Sequence, residues 1–330
     1  MANRRLSFQI LNALPIPLSH SQCVLYKHEI LICGGYDQRA CYSYHTLKDE
    51  YKFICEYPSD VSLSGHCVVK LVDNNNEDRN RITLLSFGGS TYQKKHTLVM
   101  KYIIMNAQLS LEEMKNDYRG ARAVIGGINN HLLFITFKYN NISVFNLNTV
   151  QFIKHDKLPT NDFIQYHCFV SRSKNEQKQG MMKKNPKKNI KMLLFCKKTG
   201  LSIEYNENKN TFQFHKLPVC KDIAPFNLYA YVCINGIILF FGGYCSKSIN
   251  EHIVSESVHK YLIKRKKWFK FKRNLPIPLY GCFGILNKDN THAHIIGGRN
   301  YKKIRGSIHM EKKIRAYNPL PLVIFLLICF

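Results

Sequence analysis

The chain of 330 residues has a single tryptophan, only 22 acidic residues against 48 Lys and Arg, and no apolar run long enough to cross a bilayer. Its longest apolar stretch, "PLPLVIFLLICF" from Pro319 to Phe330, falls well short of the roughly 20 residues a transmembrane helix needs. No stable transmembrane span is expected. The stretch follows no repeat pattern, and the segment 317–330 is read as a non-native end of the reading frame, with a truncated tail anchor or an extra strand as alternatives. The N-terminal "MANRRLSFQI" lacks the apolar core of a secretory signal, which predicts a cytoplasmic protein. Twelve cysteines are present, but no CxxC and no Cys/His spacing of a zinc site. Most sit inside apolar runs such as "QCVLY", "HCVVK" and "LLFCK", as small buried thiols do; a metal or redox role is the alternative. Missing too are the GxxxxGK phosphate cradle, the HExxH zinc helix and the GxSxG nucleophile elbow. With carboxylate pairs also scarce, the expectation is a non-enzyme with no catalytic residue, cofactor or metal.

Sustained helical periodicity is absent as well, the best candidate being one turn near "LEEMKND" (Leu111 to Asp117). Short runs rich in Val, Ile, Phe and Tyr replace it, and they predict an all-β chain. These runs repeat. Glycine doublets close four of them, at Gly34-Gly35, Gly88-Gly89, Gly242-Gly243 and Gly297-Gly298. The first two doublets and the last two are each about one 50-residue unit apart, and the central gap fits three units. Two units therefore lack a doublet; their second strands are "HLLFITF" and "KMLLFCKK". "GGIN" at Gly126-Gly127 reads as a turn before the first of these.

Aromatic pairs supply an independent signal. Tyr44 and Tyr51, Phe145 and Phe152, Tyr205 and Phe212, and Tyr261 and Trp268 share one spacing, and the degenerate second unit offers Tyr102 and Leu109. In an antiparallel hairpin with a two- or four-residue connection, positions so spaced face one another across two strands. Proline then closes four of the hairpins, at Pro58, Pro159, Pro218 and Pro276, ending an outer strand that cannot continue.

An apolar run, GG, then a tyrosine and a tryptophan across a hairpin resembles the kelch repeat. The resemblance implies a six-bladed kelch-type β-propeller of four-stranded antiparallel blades over 6–316. The blades read as about 16–58, 59–118, 119–159, 160–218, 219–276 and 277–316. The phrase "LPIPL" at Leu14 and again at Leu275 marks the first and last units. The sixth unit has no fourth strand of its own, so the segment 6–13 is expected to complete it and remove exposed sheet edges; seven blades is the alternative.

Kelch-like propellers usually bind partners on the face carrying the loops between strands two and three and the segments leading into each blade. Carried over, this implies a non-catalytic, monomeric scaffold that binds an unknown protein. The candidate contacts are Tyr36, Arg39, Tyr92, Lys94, Lys95, Lys138, Lys197, Lys198, Tyr244, Lys247, Arg299, Tyr301 and Lys302, and within these loops only Asp37 and Glu251 oppose them. Such a basic, tyrosine-rich face suits an acidic or phosphorylated segment. Lead-in positions Ser19, His20, Ser62, Ser64, Thr160, Asp162, Lys221 and Tyr280 would add to it.

Charge elsewhere supports a second class. The stretch 171–191 reads as a basic disordered insertion, and 260–273 is a basic outer hairpin; either could bind nucleic acid or an anionic surface. The net charge of +26 is also what an AT-rich coding sequence, with its Lys, Asn, Ile, Phe and Tyr, would produce. His66-Cys67 and His167-Cys168 match at the start of inner strands, and a packing role is expected for them rather than a metal centre. Galactose-oxidase-like metalloenzymes share the propeller type, but no ligand set transfers.

Overall fold

In the computed structural model, which describes residues 8–72, 82–89, 95–102, 116–172, 189–248 and 251–314, the aromatic spacing is a cross-strand register. Tyr44 lies opposite Tyr51, Phe145 opposite Phe152, Tyr205 opposite Phe212 and Tyr261 opposite Trp268. Ring centroids in the four pairs are 4.9, 5.0, 4.9 and 4.9 Å apart. All four hairpins turn alike: a four-residue connection whose last residue is left-handed, at Asp49, Val150, Asn210 and Lys266 (φ 55, 56, 51 and 52°). In two of them the first tyrosine locks the turn, Tyr44 donating to Asp49 at 2.9 Å and Tyr205 to Asn210 at 2.6 Å. Leu109 falls outside the described residues, as does most of the helical candidate at 111–117.

These hairpins are the outer halves of four of the six antiparallel blades. Blade one is β2 (Gln22–Tyr26), β3 (Glu29–Gly35), β4 (Gln38–His45) and β5 (Glu50–Glu56). Blade two shows β6 (Cys67–Lys70), β7 (Ile82–Gly88) and β8 (His96–Tyr102) among the described residues. Blade three comprises β9 (Arg122–Gly126), β10 (Leu132–Phe137), β11 (Asn141–Asn146) and β12 (Gln151–Lys157), so Gly126-Gly127 does begin the turn before β10. Blade four is β13 (Cys168–Ser171), β14 (Asn189–Cys196), β15 (Thr199–Asn206) and β16 (Thr211–Lys216); the core of the basic insertion, 173–188, joins β13 to β14 outside the described residues. Blade five is β17 (Ala230–Ile234), β18 (Ile237–Phe241), β21 (Val258–Leu262) and β22 (Lys267–Lys270). Its second-to-third connection is itself a small hairpin, β19 (Tyr244–Ser246) with β20 (His252–Val254).

Blade six has β23 (Phe283–Leu286), β24 (His292–Ile296) and β25 (His309–Lys313), and its outer strand is β1 (Gln9–Ile10) from the other end of the chain. Ile10 pairs with Met310, and the Leu11 amide donates to the His309 carbonyl at 2.9 Å. The N-terminal segment thus closes a six-bladed β-propeller, with no helix among the described residues. The C-terminal tail lies outside the described residues, and no helix among them is long and apolar enough to cross a membrane.

The core explains why the strands read as solid apolar runs. It comprises six clusters, each drawn from two neighbouring blades: Leu63 and Val68 of the second with Leu31 and Cys33 of the first, for instance, or Ile30 and Tyr44 of blade one with Ile296 of blade six. Each sheet is covered on both faces, so a middle strand such as β10 is buried along its whole length. The doublets serve the same junctions. Gly242 is left-handed at φ 68°, and a Cβ there would come within 2.2 Å of the Leu279 carbonyl oxygen on the segment leading into blade six. Only glycine permits both the dihedral and that approach.

Candidate functional site: a cationic mouth at the blade axis

Six short segments lead the chain into the inner strands, and they share one backbone feature. His20, Gly65, Gly120, Tyr166, Leu228 and Gly281 occupy the same place in successive blades, and all are left-handed, with φ of 56, 65, 74, 50, 58 and 64°. Amides of His20, Gly120, Tyr166 and Gly281 each donate to the carbonyl of the equivalent residue one blade earlier, at 2.7, 2.7, 2.7 and 2.8 Å. Backbone hydrogen bonds therefore run around the axis from blade to blade.

Where three of the six are glycine, two of the others fill the space. His20 lies over Gly281, and the Tyr166 ring lies against Gly65 and Gly120. The His20 and Tyr166 rings are 4.9 Å apart, and Tyr36 stands edge-on to His20 at 6.0 Å. Arginines surround this aromatic centre. The Arg122 guanidinium is 5.9 Å from the Tyr166 ring, Arg299 is 4.9 Å and Arg305 5.3 Å from the Tyr36 ring, and Arg119 lies against the Tyr166 hydroxyl. Arg305 is paired with Asp37 at 3.6 Å. Among the described residues, Arg119, Arg122 and Arg299 have no carboxylate partner. Burial, then the charges of Arg299, Arg122 and Arg119, push His20 down to about 3, so it is a neutral imidazole at physiological pH.

In blades two, four and five the residue after the left-handed position braces a junction. His66 contacts the Cys33 carbonyl of blade one through Nε2 at 2.8 Å, His167 contacts the Thr136 hydroxyl of blade three at 2.6 Å, and the Tyr229 hydroxyl donates to the Phe195 carbonyl of blade four at 2.7 Å. Thr136 in turn donates to the Arg122 carbonyl at 3.2 Å, so the Thr136 oxygen accepts from the His167 Nε2–H. Both histidines are packing struts. No group of three or more His, Cys, Asp or Glu able to hold a metal ion occurs among the described residues.

The predicted contact residues divide. Tyr36 and Arg299 belong to the axial cluster. Tyr244 sits beside it, its ring tilted against Tyr280 at 4.8 Å and stacked on His252 at 5.8 Å. Tyr301 and Lys302 lie at the rim, where the Tyr301 carbonyl accepts from His252 at 2.9 Å. Lys197 and Lys198 form the β14–β15 turn, beside the Asp162 carboxylate that accepts from Thr199 at 2.6 Å. Several of the cations are neutralised: Lys138 by Asp117 at 2.6 Å, Lys247 by Glu251 at 2.8 Å and Arg39 by Glu56 at 3.5 Å. Asp37 and Glu251 are thus not the only opposing acids, because Asp117 and Glu56 reach in from neighbouring segments. Tyr92 and Lys94 lie outside the described residues, and Lys95 stands just before β8.

Sequence reading missed Arg119, Arg122 and Tyr166. The signal was present: "RGAR" and "QYHC" occupy the place that "SGHC" holds in blade two.

No protein-family profile matches the chain, and no curated protein is similar to it in sequence. A solved structure is similar in fold. YjhT superposes with a TM-score of 0.67 over 94% of this chain and 99% of that one, at 12% sequence identity. Likeness at that identity concerns the propeller, not what it binds.

Proposed function

We propose that this chain is a kelch-like propeller acting as a non-catalytic interaction module, one that holds an acidic or phosphorylated segment of a partner protein over the axial mouth. The observation carrying this reading is the gathering of Arg119, Arg122 and Arg299, without carboxylate partners among the described residues, around Tyr36 and Tyr166. Guanidinium groups bind carboxylate and phosphate by paired, charge-assisted hydrogen bonds, and tyrosines beside them supply contact area at small entropic cost. A cytoplasmic location and a scaffold role belong to the same reading.

The test is binding of acidic and phosphorylated peptide pools to the full chain, compared with neutral pools of the same length. Arg119→Glu and Arg299→Glu should each weaken binding at least tenfold, about 1.4 kcal/mol. Binding unchanged by both reversals would remove the mouth from consideration. A second reading rests on the outer hairpin of blade five, where Lys260 lies 5.0 Å over Phe269 and 5.7 Å over Phe271, both rings being exposed. That edge suits nucleic acid or an anionic surface. It predicts steep salt dependence with little discrimination between anions.

A further inference from the structure

Blade one carries three cysteines side by side across three strands. Cys33 on β3 faces Cys41 on β4, and Cys41 faces Cys55 on β5. The second pairing depends on an irregularity. From Tyr44–Tyr51 to Tyr42–Phe53 the ladder runs in regular register, which would next set Cys41 against Ile54; a bulge instead skips Ile54 and brings Cys55 opposite Cys41. One inserted residue re-aims the side chains beyond it, so both thiols lie on the face that packs toward blade two, with Ile54 and Cys55 against the cluster that contains Cys33 and Cys41.

We propose that Cys41 and Cys55 form a redox-responsive dithiol, oxidised by a peroxide to a cross-strand disulfide. Directly opposed residues of an antiparallel pair have Cα atoms about 4.5 to 5.5 Å apart, inside the roughly 4.4 to 6.8 Å a disulfide accepts. The two sites differ as a nucleophile and its resolving partner should. Cys55 is half-exposed on an outer strand, whereas Cys41 is buried beneath it. The neighbouring Cys41 thiol holds the Cys55 thiol below its ordinary range, against the opposing effects of burial and Glu56, while Cys55 and burial push Cys41 up, its own thiol donating to the Arg39 carbonyl at 3.8 Å. Cys33 is pushed up to about 12, chiefly by burial, and stays a thiol.

The chemistry balances in two steps. The Cys55 thiolate attacks a peroxide oxygen, the O–O bond breaks, hydroxide leaves from hydrogen peroxide, and Cys55 becomes a sulfenic acid. Cys41 then gives up its proton and attacks the Cys55 sulfur; the S–O bond breaks, water leaves and the S–S bond forms. Peroxide is the two-electron oxidant and the two thiols are oxidised. The disulfide would tie β4 to β5 directly beneath Arg39, whose guanidinium pairs with Glu56 and donates to the Tyr57 carbonyl at 3.4 Å.

The experiment treats the full reduced chain with substoichiometric hydrogen peroxide, blocks the remaining thiols, and maps cysteine-containing peptides over time. Cys220, Cys233 and Cys245, also half-buried, serve as controls within the molecule. The expected result is a linked 41–55 peptide, short by two hydrogens and restored by dithiothreitol, forming at least tenfold faster than any control cysteine is modified. Cys41→Ser should convert the product to a sulfenic acid at Cys55, trapped by dimedone. Oxidation of Cys55 no faster than the controls, its pairing with Cys33, or its passage to sulfinic acid in the wild-type chain without a 41–55 link would each overturn the proposal. The wild-type map decides the matter even if a variant fails to fold.

Discussion

Single residues at the blade junctions hold positions that no other type could occupy. Gly242 combines a left-handed φ of 68° with an approach that would put a Cβ 2.2 Å from the Leu279 oxygen. Gly242→Ala must both strain the backbone and push the segment leading into blade six away from β18. The expected loss is at least about 2 kcal/mol, since the left-handed conformation alone costs an L-residue roughly 1 to 2 kcal/mol. Equilibrium urea unfolding would show it as a lower midpoint at unchanged slope. A variant as stable as the parent would mean that the lead-in segment is not held at this distance.

At the scale of the element, the repeated outer hairpin makes the register legible. Its turn, with one left-handed residue at the fourth position, fixes which residues face each other, and aromatic rings then occupy the facing pair. The pair should act as a unit. In a double-mutant cycle on Tyr205→Leu and Phe212→Leu, the coupling should be about 0.5 to 1.5 kcal/mol, the value of an aromatic contact beyond its buried area. Additive effects would show that the two rings pack independently. The four hairpins are not interchangeable, however. In blade four β15 and β16 pair without interruption, whereas in blade one the bulge at Ile54 shifts the ladder by one residue and so decides which cysteines meet. Nothing in "YKFICEY" announces that shift, because a bulge depends on how the outer strand must bend around its neighbour.

Across the whole molecule, neutral histidines sit in the seams of the ring. His66 braces the first seam, and His294 and His309, 3.0 Å apart, lie where blade six meets blade one. Burial first, and then neighbouring histidines, push His66 and His309 down to about 3 and His294 to about 4, from an ordinary 6.5. The unfolded chain therefore binds more protons than the folded one between about pH 6.5 and those lower values. Stability is complete above pH 6.5 and is lost as the pH falls through that window. Between pH 6.5 and 5, above most carboxylate titration, the unfolding free energy should drop by up to roughly 1.4 kcal/mol per pH unit for each such histidine. His66→Gln should flatten the slope, which thermal melts across this range would read out. A melting temperature constant from pH 7 to 5 would contradict the buried neutral state.

Chain order and local chemistry determined much of this protein. Apolar runs, glycine doublets, closing prolines and aromatic spacing specify strands, turns and facing pairs, since each is set by residues close together along the chain. The incomplete sixth unit and the unaccompanied strand before Leu14 even specify how the ring closes. Tertiary structure alone decided the character of the mouth. Which cations are cancelled depends on acids such as Asp117, beside Lys138, and Glu56, beside Arg39, that arrive from adjoining segments. The arginines left over come from the lead-in and first strand of the third blade and from the loop of the sixth, and only closure of the ring sets them around the same two tyrosines. Charge is counted along a sequence, but it is neutralised or concentrated in space.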